Sequence, residues 1–159
     1  MKMFREVRRK DRLIAKEQCF EILKKAGFGV LALSGDGGYP YGVPLNYVFD
    51  GGKIFFHCAK EGHKIDAIRR DPKASFCVVA GESVSPKEYT TYYESVIVFG
   101  KVRIIDDESE MLAAVKKLAQ KYAPDNTREE EENEINKFRA ALCMLEMTIE
   151  HISGKSNKL

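Results

Sequence analysis

The chain has 159 residues, 44% of them hydrophobic and 31% charged, enough for one core and for a single domain spanning 1–159 with a short arm. Its 26 basic and 24 acidic side chains leave a net charge of +2, which gives no electrostatic case for nucleic acid or a membrane surface and makes a small molecule the expected partner. Neither a run of about 18 apolar residues nor a cationic-plus-apolar leader is present, so a cytoplasmic protein is expected.

Residues 1–14, MKMFREVRRKDRLI, are basic without a clear apolar face and read as an arm that packs on something else. From Ala15 to Ala26 the spacing of Cys19, Ile22, Leu23 and Ala26 predicts an amphipathic helix, with Gly27 as its C-cap. The period then changes. GVLALS, YGVPLNYVF, KIFFHCA, KASFCVVA and YYESVIVFGKVRII are rich in β-branched and aromatic residues, and GDGG and DGG between the first three read as hairpin turns. Pro44 removes a ladder donor from the second of these, so that strand is predicted to lie at an edge or to be broken, with Tyr41, Asn46 and Tyr47 offering aromatic surface and hydrogen bonds nearby. A short helix from Gly62 to Arg70 interrupts the meander. Helical spacing returns over Glu108–Tyr122, a polar loop leads to a short acidic-fronted helix, and LCMLEMTIEHIS alternates as a sixth strand. Six strands without a βαβ rhythm predict a β-dominated fold with flanking helices, a small closed or split barrel.

The chemistry concentrates in GGKIFFHCAKEGHKIDAIRRDP, residues 51–72. Lys64 falls in the first turn of the short helix, where the positive end of the helix dipole disfavours a cation by about 0.3–1 kcal/mol. Arg69 and Arg70 in the last turn obey the rule, so the anomaly is local. Unpaired helix amides, a glycine that permits close approach, an imidazole and an ammonium together suit a phosphate. The alternative is a lysine that points into solvent. Alternation places Phe56 and Cys58 on one face of the preceding strand and His57 on the other. No zinc spacing links His57, His63 and a cysteine, and the four cysteines, Cys19, Cys58, Cys77 and Cys143, read as reduced thiols without a C-x-x-C pair.

Taken together, P-Y-G-V-P, F-H-C-A-x-x-G-H-K, Y-T-T-Y and the closing IEHISGK resemble the 5-nitroimidazole-resistance proteins of the pyridoxamine 5′-phosphate oxidase-like superfamily of FMN-binding split barrels. The resemblance implies a six-stranded antiparallel split β-barrel and a homodimer with FMN at the subunit interface. It also implies that Val43, Pro44, Leu45 and Asn46 line the flavin ring, with Phe56, His57, Cys58 and Ala59 on the adjoining strand and His63 and Lys64 at the phosphate. Ser95 and Lys155 would be further cofactor contacts, offered to the partner subunit's site. The implied activity is an FMN-dependent, nitroreductase-like oxidoreductase acting on a small molecule such as a nitroaromatic, with His57 or His63 as the available proton donor. A flavin-binding or flavin-sensing module without turnover is the alternative, as is a reductase with another substrate. The chain has no tryptophan and ends HISGKSNKL, without the R-x-L-x-P segment of true pyridoxamine phosphate oxidases, so the resemblance does not extend to their substrate.

Overall fold

The computed structural model describes residues 3–158. Seven strands form one antiparallel sheet: β1 (Phe28–Ser34), β2 (Pro40–Asn46), β3 (Val48–Asp50), β4 (Lys53–Ala59), β5 (Lys73–Ser85), β6 (Thr90–Ile104) and β7 (Leu142–Asn157). Four helices accompany them: α1 (Lys16–Lys25), α2 (His63–Arg70), α3 (Glu108–Tyr122) and α4 (Arg128–Phe138). The strand order is β2-β1-β5-β6-β7-β4-β3.

Two sequence expectations change here. The barrel is neither six-stranded nor closed, because YGVPLNYVF is two strands separated by Tyr47. Pro44 does not break its strand. It pairs with Val30 on the edge strand β2, where a missing amide costs no second ladder bond. The break falls at Tyr47 because that side chain is fully buried, its hydroxyl donating to the Leu23 carbonyl at 2.7 Å and its ring edge-on to Phe76. Tyr47 therefore belongs to the core and faces no ligand. Since β2 ends at Asn46 and β3 begins at Val48, the two outermost strands of the sheet are consecutive in the chain, and the sheet must curl to let them meet.

Inside the curl lies the main core, with Phe56, Phe76, Leu31, Val78, Val96 and the α1 residues Cys19, Ile22 and Leu23. A second cluster joins Val48, Phe55, Met144 and Leu142 to Ala114 and Leu118 of α3. Helix α1 ends one residue before the predicted cap: Ala26, in extended conformation, is the C-cap, and Gly27 carries no positive φ. The arm packs as expected. Ile14 N–H donates to the Gly154 carbonyl, and Phe4 stacks on Phe99 and His151. The long β6–β7 ribbon bends at a bulge after Phe99, where Gly100 is required: a Cβ there would lie 1.9 Å from the Thr148 carbonyl oxygen. On the outer face of β2, β1, β5 and β6, Val30, Pro44, Val79, Ile97 and Phe99 are exposed side by side.

The end of α3 clamps the Tyr47 break. The Tyr122 hydroxyl accepts from Tyr47 N–H at 2.9 Å and reaches the Gly27 carbonyl at 2.6 Å. The Lys121 ammonium donates to the carbonyls of Ala26 and Tyr47 at 2.6 and 3.0 Å and sits 4.0 Å over the Tyr47 ring. Burial pushes the Lys121 ammonium down to about 8 from 10.5. The folded value lies below the unfolded one, so between those two pH values the unfolded chain binds more protons and stability rises with pH. Urea unfolding of wild type and Lys121→Met between pH 8 and 10.5 is expected to show the wild type gaining stability relative to the variant. Parallel curves would mean that Lys121 is not desolvated.

Candidate functional site

Most of the residues singled out in the sequence lie on the edge strand β2, the end of β4 and the start of α2, and the region between these elements is the candidate cleft. In β2, Val43 and Leu45 pack on the core, while Pro44 and Asn46 face outward. Asn46 donates its side-chain N–H to the Gly27 carbonyl at 2.9 Å, which fixes the amide at the end of the strand. β2 has a neighbour only on the β1 side, so its far edge has no ladder partner in the sheet order.

Strand β4 behaves as alternation requires. Ile54 and Phe56 are fully buried in the main core, and Phe55 is buried in the second cluster. His57 is exposed on the Phe55 side, bordering a cavity of about 490 Å³ with Ala59, Val115, Ile135, Phe138 and Leu142. Cys58 is half-buried on the core side, directly opposite Cys143 of β7, and Ala59 is opposite Leu142.

Gly62 caps α2 with φ 118° and ψ 173°, a conformation open to glycine, and no side chain caps the helix. The Gly62 carbonyl accepts from Ile65 and Asp66, but the amides before them have no intrahelical acceptor. Space over Gly62 is open: a Cβ there would meet no atom within 4 Å. Lys64 occupies the first turn as expected, half-buried, its ammonium acting on the Cys58 thiol and making no salt bridge among the described residues. Burial nonetheless dominates at Cys58, pushing its thiol up to about 12. The last turn satisfies its cation differently, with Arg70 donating to Asp36 at 3.0 Å and to the Ser34 carbonyl at 2.8 Å.

His63 turns away from Lys64. Its ring stacks on Tyr41 at 4.0 Å between centroids, with Nε2 3.7 Å from the Asp36 carboxylate. The two candidate proton donors thus stand apart, His63 against the β1–β2 turn and His57 beside α3 and α4. Asp36 was not legible as a site residue, since it lies in a GDGG turn 27 positions before His63 and only the fold brings it there. Ser95 and Lys155 face each other across β6 and β7. Lys155 stands twelve residues beyond Cys143 on β7, ~40 Å of extended strand. The pair thus lies well along β7 from the Cys58–Cys143 pairing. Among the described residues, no group of three His, Cys, Asp or Glu side chains is arranged to hold a metal ion.

The chain belongs to the pyridoxamine 5′-phosphate oxidase family, whose model matches residues 15–156. Among solved structures, a candidate 5-nitroimidazole antibiotic resistance protein from Bacteroides thetaiotaomicron is similar with a TM-score of 0.73 at 21% identity, over 90% of this chain and 85% of that one. A flavocytochrome from Azotobacter vinelandii gives 0.77 at 16% identity, over 97% and 73%. An FAD-binding protein from Mesorhizobium loti gives 0.65 at 22% identity, over 92% and 98%. At such identities the likeness is one of fold. No curated protein matches the sequence.

The Gly62 backbone yields a test of the cleft's construction. Because nothing would clash with a methyl group there, Gly62→Ala isolates the backbone cost, expected at about 1–3 kcal/mol of stability in chemical unfolding. An unchanged midpoint would show that the turn relaxes into an ordinary conformation.

Proposed function

We propose that this member of the pyridoxamine 5′-phosphate oxidase family is a flavoprotein that binds FMN in the cleft between β2, β4 and α2 and acts as an oxidoreductase of the nitroreductase type. The observation that carries the reading is the start of α2. A helix terminus without a side-chain cap, open space over Gly62, and a Lys64 ammonium that makes no salt bridge among the described residues leave positive potential at the start of α2, with Asp66 as the acid in its first turn. A phosphate monoester would add negative charge there. The cradle is single, which favours FMN over FAD, and the FAD-binding and flavocytochrome neighbours support a flavin of some kind.

Lys64 and the first amides of α2 would hold the phosphate. His63, engaged with Tyr41 and Asp36, braces the cradle against the β1–β2 turn. Val43, Pro44, Leu45 and Asn46 would present the unpaired edge of β2 to the flavin ring, and His57, Cys58 and Ala59 would close the other side. When bound, the flavin supplies hydride or electron transfer, and the protein positions and shields it. The nitroimidazole-resistance neighbour supports a nitro group as acceptor, delivered by a small aromatic substrate.

The same reading makes the protein a homodimer. Val30, Pro44, Val79, Ile97 and Phe99 form an apolar outer face of the kind a second subunit covers, and Ser95 and Lys155, remote from Lys64 in their own chain, would complete the partner's cofactor site.

Heat release of the cofactor and chromatography against FMN and FAD standards tests its identity: FMN is expected, and a colourless protein that cannot be reconstituted would overturn the reading. Lys64→Ala is expected to weaken FMN binding by about ten- to a hundredfold through loss of a charge-assisted contact, while leaving apoprotein stability unchanged or a few tenths of a kcal/mol higher. Arg69→Ala, at the favourable end of α2, serves as the control. Equal affinity in wild type and Lys64→Ala would place the phosphate elsewhere. Sedimentation equilibrium should give a dimer, and a monomer retaining flavin would exclude the shared site.

A further inference from the structure

Four cysteines are free in this protein, and two of them meet. Cys58 of β4 and Cys143 of β7 are direct partners in the antiparallel register, and Cys143 adds to the upward push on the Cys58 thiol. Directly opposed residues in an antiparallel pair have Cα atoms roughly 4.5–5.5 Å apart, inside the roughly 4.4–6.8 Å span that a disulfide bridges without moving the backbone. The remaining cysteines have no such neighbour. Cys77 lies opposite Val30 and Ile97, and Cys19 packs against Gly154.

Two cavities flank the pair of residues. Cys58 borders the cavity of about 490 Å³ beside His57 and α4. Cys143 borders a second cavity, of about 330 Å³, whose lining includes Lys60, Arg69, Met111 and Arg139. Cys58 is half-buried, which leaves it open to a molecule as small as a peroxide, whereas Cys143 is buried beside it. The Lys64 ammonium acts on Cys58 and favours its thiolate, the reactive form.

We propose that Cys58 and Cys143 form a reversible disulfide with hydrogen peroxide as the oxidant. The Cys58 thiolate attacks the peroxide O–O bond, a sulfur–oxygen bond forms, and hydroxide leaves to be protonated to water. The Cys143 thiolate then attacks the sulfenic sulfur, the S–S bond forms, and the second hydroxide leaves as water. Two thiols lose two electrons, peroxide gains them, and both thiol protons end in the two waters. Burial opposes the first step by keeping the Cys58 thiolate scarce at neutral pH, so the reaction is slow and needs sustained peroxide. The product would tie the end of β4 to the start of β7 immediately before the turn that carries Gly62 and Lys64. The pairing follows from strand register and does not depend on which cofactor occupies the cleft.

The test uses the full chain as purified, treated with hydrogen peroxide, then alkylated under denaturing conditions and mapped by mass spectrometry. The expected result is a fall from four free thiols to two, a single crosslinked peptide containing Cys58 and Cys143, and full reversal by dithiothreitol. The melting temperature of the oxidised form should rise by roughly 5–15 °C, since the bond closes a long loop. Running the reaction in a Cys77→Ser background removes disulfides between copies through that residue. Four intact thiols after prolonged treatment, or Cys58 driven to sulfinic or sulfonic acid without a crosslink, would overturn the proposal, and neither outcome requires a variant of the buried Cys143 to fold.

Discussion

Everything about this architecture depends on how one residue leaves the sheet. Tyr47 interrupts what would be a continuous strand from Pro40 to Asp50, and burial of its ring against Phe76 with its hydroxyl on Leu23 makes the interruption favourable. The chain passes from one extreme edge of the sheet to the other in a single step. A sheet whose two outermost strands are joined by one residue has to curl, and β2 approaches β4 without joining it. The ladder is left unfinished between them. Lys121 and Tyr122 fix the Tyr47 backbone to the corner at Ala26 and Gly27.

Most of the fold was legible because its elements differ in period. Lys53–Ala59 and Glu108–Tyr122 have the bounds that alternation and helical spacing indicate. The division at Tyr47 was not legible, since Y-V-F continues the apolar alternation of the strand before it and only the hydroxyl's distant acceptor makes the difference. The site divides in the same way. Lys64 stood out because a helix-dipole rule is local, and the structure places it in the first turn without a counterion. Asp36 and the Cys58–Cys143 pairing are products of turn placement and register between distant segments, which no local pattern encodes. Ser95 and Lys155 came from family resemblance alone. The structure pairs them with each other and sets them far from Lys64 along the ribbon.

Charge is arranged with similar economy. The only buried carboxylate among the described residues is Glu146 on β7, which accepts from Lys53 at 3.0 Å and from Arg103 at 3.0 and 3.1 Å. These partners hold its carboxyl below the usual range even though burial alone would raise it. Arg103 also reaches Glu110, so one guanidinium links β6, β7 and the first turn of α3. The starts of α3 and α4 are acidic and capped, Asp107 and Thr127 accepting from the third residue of each helix. α1 and α2 instead begin without a side-chain cap and with a lysine in the first turn, and α2 alone has glycine as its cap.

The strand order also determines when the cleft can come into being. β4 pairs with β3 and with β7, and β7 begins at Leu142, near the end of the chain. A nascent chain emerging from the ribosome can therefore fold α1 and pair β1 with β2 and β5, and β5 with β6, but the strand carrying His57 and Cys58 has only the three-residue β3 for company until residues 142–157 emerge. Until then Phe55 and Phe56 are exposed on a two-stranded hairpin that is marginal by itself. The site is thus completed only once β7 is available. A chain truncated before residue 142 would present an adhesive apolar hairpin rather than a partial site.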